Sequence, residues 1–435
     1  MTIDQLLTVA VLVGVVAALI WDKIRADVVA LAGAAVLLMT GVVRPSEVQG
    51  AFASPALIAL GSLFVIVYAI ELSGLLDRLI GQAVRLCQAI GVMGLWLTIA
   101  LCGAASAFLN NTPIVVLGAP VIRDTAKTLG LSPRRFLMPL SYIAILGGCC
   151  TLIGTSTNLL VADMARLGGQ PVFGLFEITP VGLCIAIAGG IYLLIVSRWM
   201  GRGGSDDTDV DSEGISDMVQ GTDAQIGDVR VFVPQREFHL RNALTSVLIF
   251  AGVIFSASVG VAPIAASAFA GAVLLILLKV ISADEAYSGL RPEILLLIAG
   301  MVIVGIAMEE SGLATNATSG LVSAVQPFGP LFALALFYGV TLILTEILSN
   351  ATVAVLFAPI AIALAESLGV SARPFLVAVM MAASAAFATP FGYQTNVLVY
   401  QIGRYSYTDF LRFGLPLNFI TWAVGIVAIS VFFPF

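Results

Sequence analysis

The stretch FLNNTPIVVLGAP, from Phe108 to Pro120, decides how the rest of the chain is read. It sets two amides and a hydroxyl (Asn110, Asn111, Thr112), then a helix-resistant Pro113, between two long apolar runs. A second copy, ILSNATVAVLFAP, runs from Ile347 to Pro359. Asn111 falls on Asn350 and Ala119-Pro120 on Ala358-Pro359, an offset of 239 residues. A polar break at one place in two apolar halves is a sequence pointer to the binding site of a secondary transporter. Further matches in the same order carry the repeat along the chain. AGAAVLL from Ala32 matches AGAVLLI from Ala270, and ELSGL from Glu71 matches EESGL from Glu309. LGLSPR from Leu129 matches LGVSAR from Leu368, and GTSTN from Gly154 matches GYQTN from Gly392.

With 435 residues, 60% of them hydrophobic and 11% charged, and a mean hydropathy of +1.06, the chain is a polytopic membrane protein. The first run, Leu6 to Ile20, follows MTIDQ, which has no basic n-region and no cleavage site; it reads as a retained helix. The acids cluster at Asp206, Asp207, Asp209, Asp211, Glu213, Asp217, Asp223 and Asp228, with no Lys or Arg between Ser205 and Asp228. This segment reads as a disordered linker, dividing the chain into a first repeat (1–200), an acidic linker (201–238) and a second repeat (239–435). The five cysteines lie in or near apolar runs without metal spacing and read as packing residues. No Walker A, GxGxxG or HExxH sequence is present, so ATP-driven transport and zinc proteolysis lose their usual handles. The single His239 lies outside the apolar runs, which leaves an enzyme without a catalytic set.

The expected spans are 6–20, 28–43 and 54–73, an amphipathic connector from Gly74 to Ile90, an interrupted hairpin from Gly91 to Lys127, then 136–163 and 175–197. The second half repeats them at 242–259, 262–280 and 293–311, followed by a connector, a hairpin from Gly329 to Glu366, and spans at 374–400 and 411–433. The fold class is therefore all-α: two inverted repeats, each of five transmembrane helices plus one re-entrant hairpin, with broken helices at the midplane. With both termini outside and the linker cytoplasmic, seventeen of the 20 Lys and Arg fall inside. Only Arg44, Arg166 and Arg373 fall outside. Hairpins that crossed fully would weaken that bias.

Irregular backbone at membrane depth must line a protein-enclosed cavity. Each half offers a tip (Asn110-Asn111-Thr112; Ser349-Asn350-Ala351-Thr352) and an interruption (Thr151 to Asn158; Thr389 to Asn396). Amide oxygens, hydroxyls and freed carbonyls suit a hard cation such as Na⁺, and half-helix N-termini suit an anion. A single such polar group more often only bonds helix to helix; four in symmetric positions point to a site. Glu346, in a hairpin leg, is either a structural partner of nearby hydroxyls or a coupling carboxylate. Glu71, Glu309 and Glu310 sit near span ends, where water accounts for them.

At these residues the chain resembles the divalent anion/sodium symporter family of the ion transporter superfamily, nearest its sulfate-permease-like branch. The stretches that carry this are FLNNTPIVVLGAPVIRD with GTSTNLLV, and TEILSNATVAVLFAPIA with FATPFGYQTNVLVY and TDFLRFGLPLNF. The resemblance implies a dimerising scaffold and a mobile transport domain working as an elevator in a bacterial inner membrane. It implies a first sodium site at Ser106, Asn110, Asn111 and Gly154, and a second at Thr345 and Asn350 with backbone around Ala388 to Gly392. The substrate would lie between the tips, near Asn111, Thr112, Asn350, Thr352 and Pro390, with Thr157 and Thr395 beside it. No cofactor beyond the coupling Na⁺ is implied; the partners are a small anion, lipid and a second copy, with no nucleic acid. The family's Ser-Asn-Thr tips are Asn-Asn-Thr and Ser-Asn-Ala here, and the hydroxyl missing at Ala351 favours sulfate over a dicarboxylate. The regulatory domains frequent in that branch are replaced by the acidic linker. Alternatives within the superfamily are a dicarboxylate symporter, a Na⁺/H⁺ antiporter and an arsenite-type exporter.

Overall fold

The computed structural model describes residues 2–21, 23–75, 78, 90–200, 238–313 and 329–435. The described residues form helices and no strand, in two series of nine. The first is α1 (Ile3–Trp21), α2 (Ala26–Met39), α3 (Pro45–Phe52), α4 (Pro55–Leu72), α5 (Val92–Ser106), α6 (Asn111–Thr128), α7 (Arg134–Gly148), α8 (Ser156–Leu167) and α9 (Thr179–Met200). The second is α10 (Leu240–Val259), α11 (Ile264–Leu277), α12 (Ala283–Gly289), α13 (Pro292–Glu310), α14 (Pro330–Leu344), α15 (Asn350–Leu368), α16 (Arg373–Ser384), α17 (Gln394–Ile402) and α18 (Tyr407–Phe432). The acidic linker, most of the 74–90 connector and the connector after α13 lie outside the described residues.

Apolar runs form the helices, and local chemistry sets their ends. Pro opens α3, α4, α13 and α14, where its missing N–H has no intrahelical partner to lose. α10 and α15 end on Gly260 and Gly369 at φ 76° and 67°, a C-cap conformation that glycine adopts without strain. Each expected span has its helix, and each expected broken span is two helices: α7 and α8 around residues 149–155, α16 and α17 around 385–393. The short helices α3 and α12, which lead into α4 and α13, are additional to the expected spans; their mixed polarity hides them beside long apolar runs.

Among the described residues six helical stretches are long and apolar enough to cross a membrane, including α9, α10, α13, α15 and α18. Only 17% of the α10 span is buried against 67% of the α15 span, which puts α10 at the rim and α15 at the centre. Ile187, Ile191 and Ile195 of α9 and Leu244, Leu248 and Phe255 of α10 are exposed apolar residues suited to lipid. α7 and α16 are enclosed as well, with Leu137, Leu140, Phe375 and Val379 fully buried.

Packing repeats when the two halves are exchanged. α2 packs on α13 while its counterpart α11 packs on α4; α8 packs on α15 while its counterpart α17 packs on α6; α9 and α18 pack on each other. One close approach is particular to the first half. A Cβ on Gly147 of α7 would overlap the carbonyl of Gly103 of α5, so these helices meet backbone to backbone.

Candidate functional site

Both hairpins, α5–α6 and α14–α15, turn at their polar tips. Asn110 Oδ1 accepts from Thr112 N at 3.3 Å and so N-caps α6. Ser349 Oγ accepts from Thr352 N at 3.2 Å and pairs with Thr352 Oγ1 at 2.6 Å, capping α15. Pro113, expected to mark the break, instead falls in the first turn of α6, where its missing N–H costs no helical bond. The break itself precedes it, at residues 107–110.

The two interruptions carry one hydrogen-bond scheme written twice. Thr151 Oγ1 donates to Ala107 O, and Thr389 Oγ1 to Glu346 O at 3.2 Å. Gly154 N donates to Thr151 Oγ1 at 3.2 Å, and Gly392 N to Thr389 Oγ1 at 3.1 Å. Asn158 Nδ2 reaches Thr151 O at 2.9 Å; Asn396 Nδ2 reaches Ala386 O at 2.8 Å and Thr389 O at 3.3 Å. These side chains replace the helical bonds that the unwound residues have lost. Thr151 and Thr389 also tie each break to its own hairpin tip, 44 and 43 residues away in sequence.

Oxygen atoms converge where each tip meets its own break. In the second half the Asn350 amide stands 2.9 Å from Thr345 Oγ1, 3.2 Å from Gly392 O and 3.2 Å from Ala383 O. Turned nitrogen-first, it donates to these oxygens; turned oxygen-first, it completes a four-oxygen cluster of the kind that unwound carbonyls give a monovalent cation. In the first half Ser106 Oγ donates to Asn111 Oδ1, and Gly148 abuts the same amide. A Cβ on Gly154 would lie 2.9 Å from Ala107 O, so this backbone admits only glycine. Ser106, Asn111, Thr345, Asn350 and Gly392 are thus brought together as two small clusters, while Asn110 turns to its capping bond.

Glu346 sits beside the second cluster as a pure acceptor. Its carboxylate takes bonds from Phe387 N (2.9 Å), Ala388 N (2.8 Å), Thr389 N (2.9 Å), Thr389 Oγ1 (2.9 Å) and Asn418 Nδ2 (2.6 Å). Three consecutive backbone amides of the break therefore end on one side chain. The counterpart of Glu346 in the first half is Ala107, and there Cys149 N and Cys150 N bond to Ile145 O and Gly147 O instead.

The residues expected around the substrate divide into two groups. Thr352, Thr157, Thr395 and Pro390 are buried; Thr395 Oγ1 accepts from Ser141 Oγ at 2.8 Å and Thr157 Oγ1 faces Thr155 Oγ1 at 3.4 Å. Asn111 and Thr112 cross to the other half: Asn111 Nδ2 donates to the Tyr393 hydroxyl at 2.8 Å, and Thr112 Oγ1 to Gln394 Oε1 at 3.2 Å. Tyr393 and Gln394 were within the GYQTN motif but were not singled out in the sequence. A small open pocket lies between α4 and the first tip, lined by Phe64, Val67, Asn110, Gly154 and Ser156. α8 and α17 begin beside these groups at Thr155 and Tyr393, where no side chain caps the helix.

A family model for citrate transporters (CitMHS) matches residues 16–373 and 347–435. The chain belongs to the citrate transporter family. An uncharacterized transporter of Synechocystis is 27% identical to this family member over 95% of each chain. That alignment spans 587 positions, more than the 435 residues here, so the relative carries inserted residues. Sodium/sulfate cotransporter 1 of Chlamydomonas reinhardtii is 37% identical over 107 residues, 23% of this chain and 12% of that protein. Among solved structures, the YdaH transporter of Alcanivorax borkumensis shares the fold with a TM-score of 0.60 at 14% identity, over 88% of this chain and 86% of that one. The protein is a polytopic membrane transporter of this family and not an enzyme.

Proposed function

We propose that this chain is a sodium-coupled symporter of a small divalent anion, sulfate first. The carrying observation is the Asn350 cluster, where one amide stands among Thr345 Oγ1, Gly392 O and Ala383 O and can complete an oxygen shell by rotating. Asn111 with Ser106 supplies the related first cluster. Between them the uncapped starts of α8 and α17 offer unpaired N–H groups and positive dipole ends to an anion. Ala351, without a hydroxyl, favours a compact oxyanion over a carboxylate, and the local likeness to a sodium/sulfate cotransporter points the same way.

The exchange-symmetric packing supports inverted repeats; the proposal adds a scaffold of α1–α4 and α10–α13 and a hairpin-bearing transport domain that moves as an elevator in a homodimer. With both termini outside and the linker cytoplasmic, the basic residues left outside are all ion-paired: Arg44 with Glu47 (4.0 Å), Arg166 with Asp163 (3.1 Å) and Arg373 with Glu177. The excess of Lys and Arg on the other side, and not the pairing of these three, is what the positive-inside rule counts in favour of a bacterial inner-membrane layout.

The test is thermal stability of the purified protein in sodium against choline, with sulfate, succinate or citrate added. Ligands of the folded state raise the melting temperature by mass action. The reading expects a rise with sodium and a further rise with sulfate, and Asn111→Ala and Asn350→Ala should each reduce the sodium effect. No response of the wild type to sodium would contradict it.

A further inference from the structure

Thr155 and Tyr393 hold equivalent places, each the residue before a half-helix and each 238 positions from the other. Their backbones are nearly the same, φ −138° and ψ 145° at Thr155 against φ −145° and ψ 141° at Tyr393. Only the side chain differs, a hydroxyethyl group against a phenol. The next pair, Ser156 and Gln394, shows the same imbalance. Both larger residues reach the first hairpin tip, Tyr393 to Asn111 and Gln394 to Thr112. The reverse contact is not available, because Ala351 stands where Thr112 would be and the Asn350 amide is directed to Thr345, Ala383 and Gly392. One side of a twofold site thus carries two large residues stitched to the opposite tip, and the other carries two small hydroxyl residues, of which Ser156 borders the pocket beside the first tip.

We propose that Tyr393 is the size-selecting residue of the anion site. Its ring takes the space that a second carboxylate arm would need, which leaves room on the Thr155–Ser156 side for one compact tetrahedral oxyanion. Extended di- and tricarboxylates are excluded by volume and not by charge. This rests on the symport reading and specifies its substrate class.

The experiment compares wild type, Tyr393→Thr and Tyr393→Phe, in sodium, titrated with sulfate, succinate and citrate by thermal shift and by competition against labelled sulfate. Tyr393→Thr recreates the residue that the first half already carries on this backbone. It should raise citrate and succinate affinity relative to sulfate roughly tenfold or more, the scale of a pocket-size change. Tyr393→Phe keeps the ring and should keep the discrimination, even if the lost Asn111 bond weakens binding overall. A folded Tyr393→Thr that still excludes both carboxylates overturns the proposal. So does loss of discrimination in Tyr393→Phe, which decides the matter if Tyr393→Thr does not fold. A wild type that responds to sodium but takes citrate as readily as sulfate overturns the size limit alone; one that responds to neither sodium nor anion overturns the symport reading with it.

Discussion

Replacing Glu346 by Ala places in the second hairpin the residue that the first carries at 107, and the structure says that the exchange fails. In the first half the amides of Cys149 and Cys150 have backbone partners. In the second, α16 stops at Ser384, and the amides of Phe387, Ala388 and Thr389 all end on the Glu346 carboxylate at 2.8–2.9 Å. An orphaned buried donor costs about 1–3 kcal/mol, so three give about 3–9 kcal/mol if water stays out. Glu346 is only half-buried, so water recovers part of this, and about 3–5 kcal/mol is the expected loss. The break also supplies Gly392 O to the Asn350 amide, so stability in sodium should fall more than stability in choline. Melting of Glu346→Ala in both salts is the assay. An unchanged melting temperature, or an equal drop in both salts, would refute the chain of reasoning from the amides to the cation cluster.

Gly147→Ala should cost more than the 1–3 kcal/mol of ordinary overpacking, because its Cβ meets the Gly103 carbonyl and not a movable side chain; chemical denaturation in detergent reads it. Arg373→Gln removes an ion pair with Glu177 and a stack 4.3 Å from the Phe173 ring, and should lower stability by about 1–2 kcal/mol with greater loss at low salt than at high. Deleting residues 206–226 of the acidic linker should leave sodium-dependent uptake intact, checked in proteoliposomes at matched protein content.

The spans and the broken helices were legible in the sequence because length, hydropathy and the 238–239 offset each report on them directly. Asn111 and Asn350 were legible for the same reason, as polar residues recurring inside apolar runs. The bonding of the breaks was not, since Thr151, Thr389, Asn158 and Asn396 look like any small polar residue until the carbonyls they serve are placed. Pro113 misled because its effect depends on where the helix starts, and that start is set by the Asn110 cap. Glu346 stood equally for a structural or a coupling role; five donors around one carboxylate required coordinates. Tyr393 was hidden because its importance lies in contrast with Thr155, visible only once both are seen on the same backbone.

The most direct test of the central claim is uptake of labelled sulfate into proteoliposomes under an inward sodium gradient. The account predicts saturable uptake that collapses when choline replaces sodium and is absent in Asn350→Ala. Equal uptake in sodium and choline, or full uptake by folded Asn350→Ala, would contradict it.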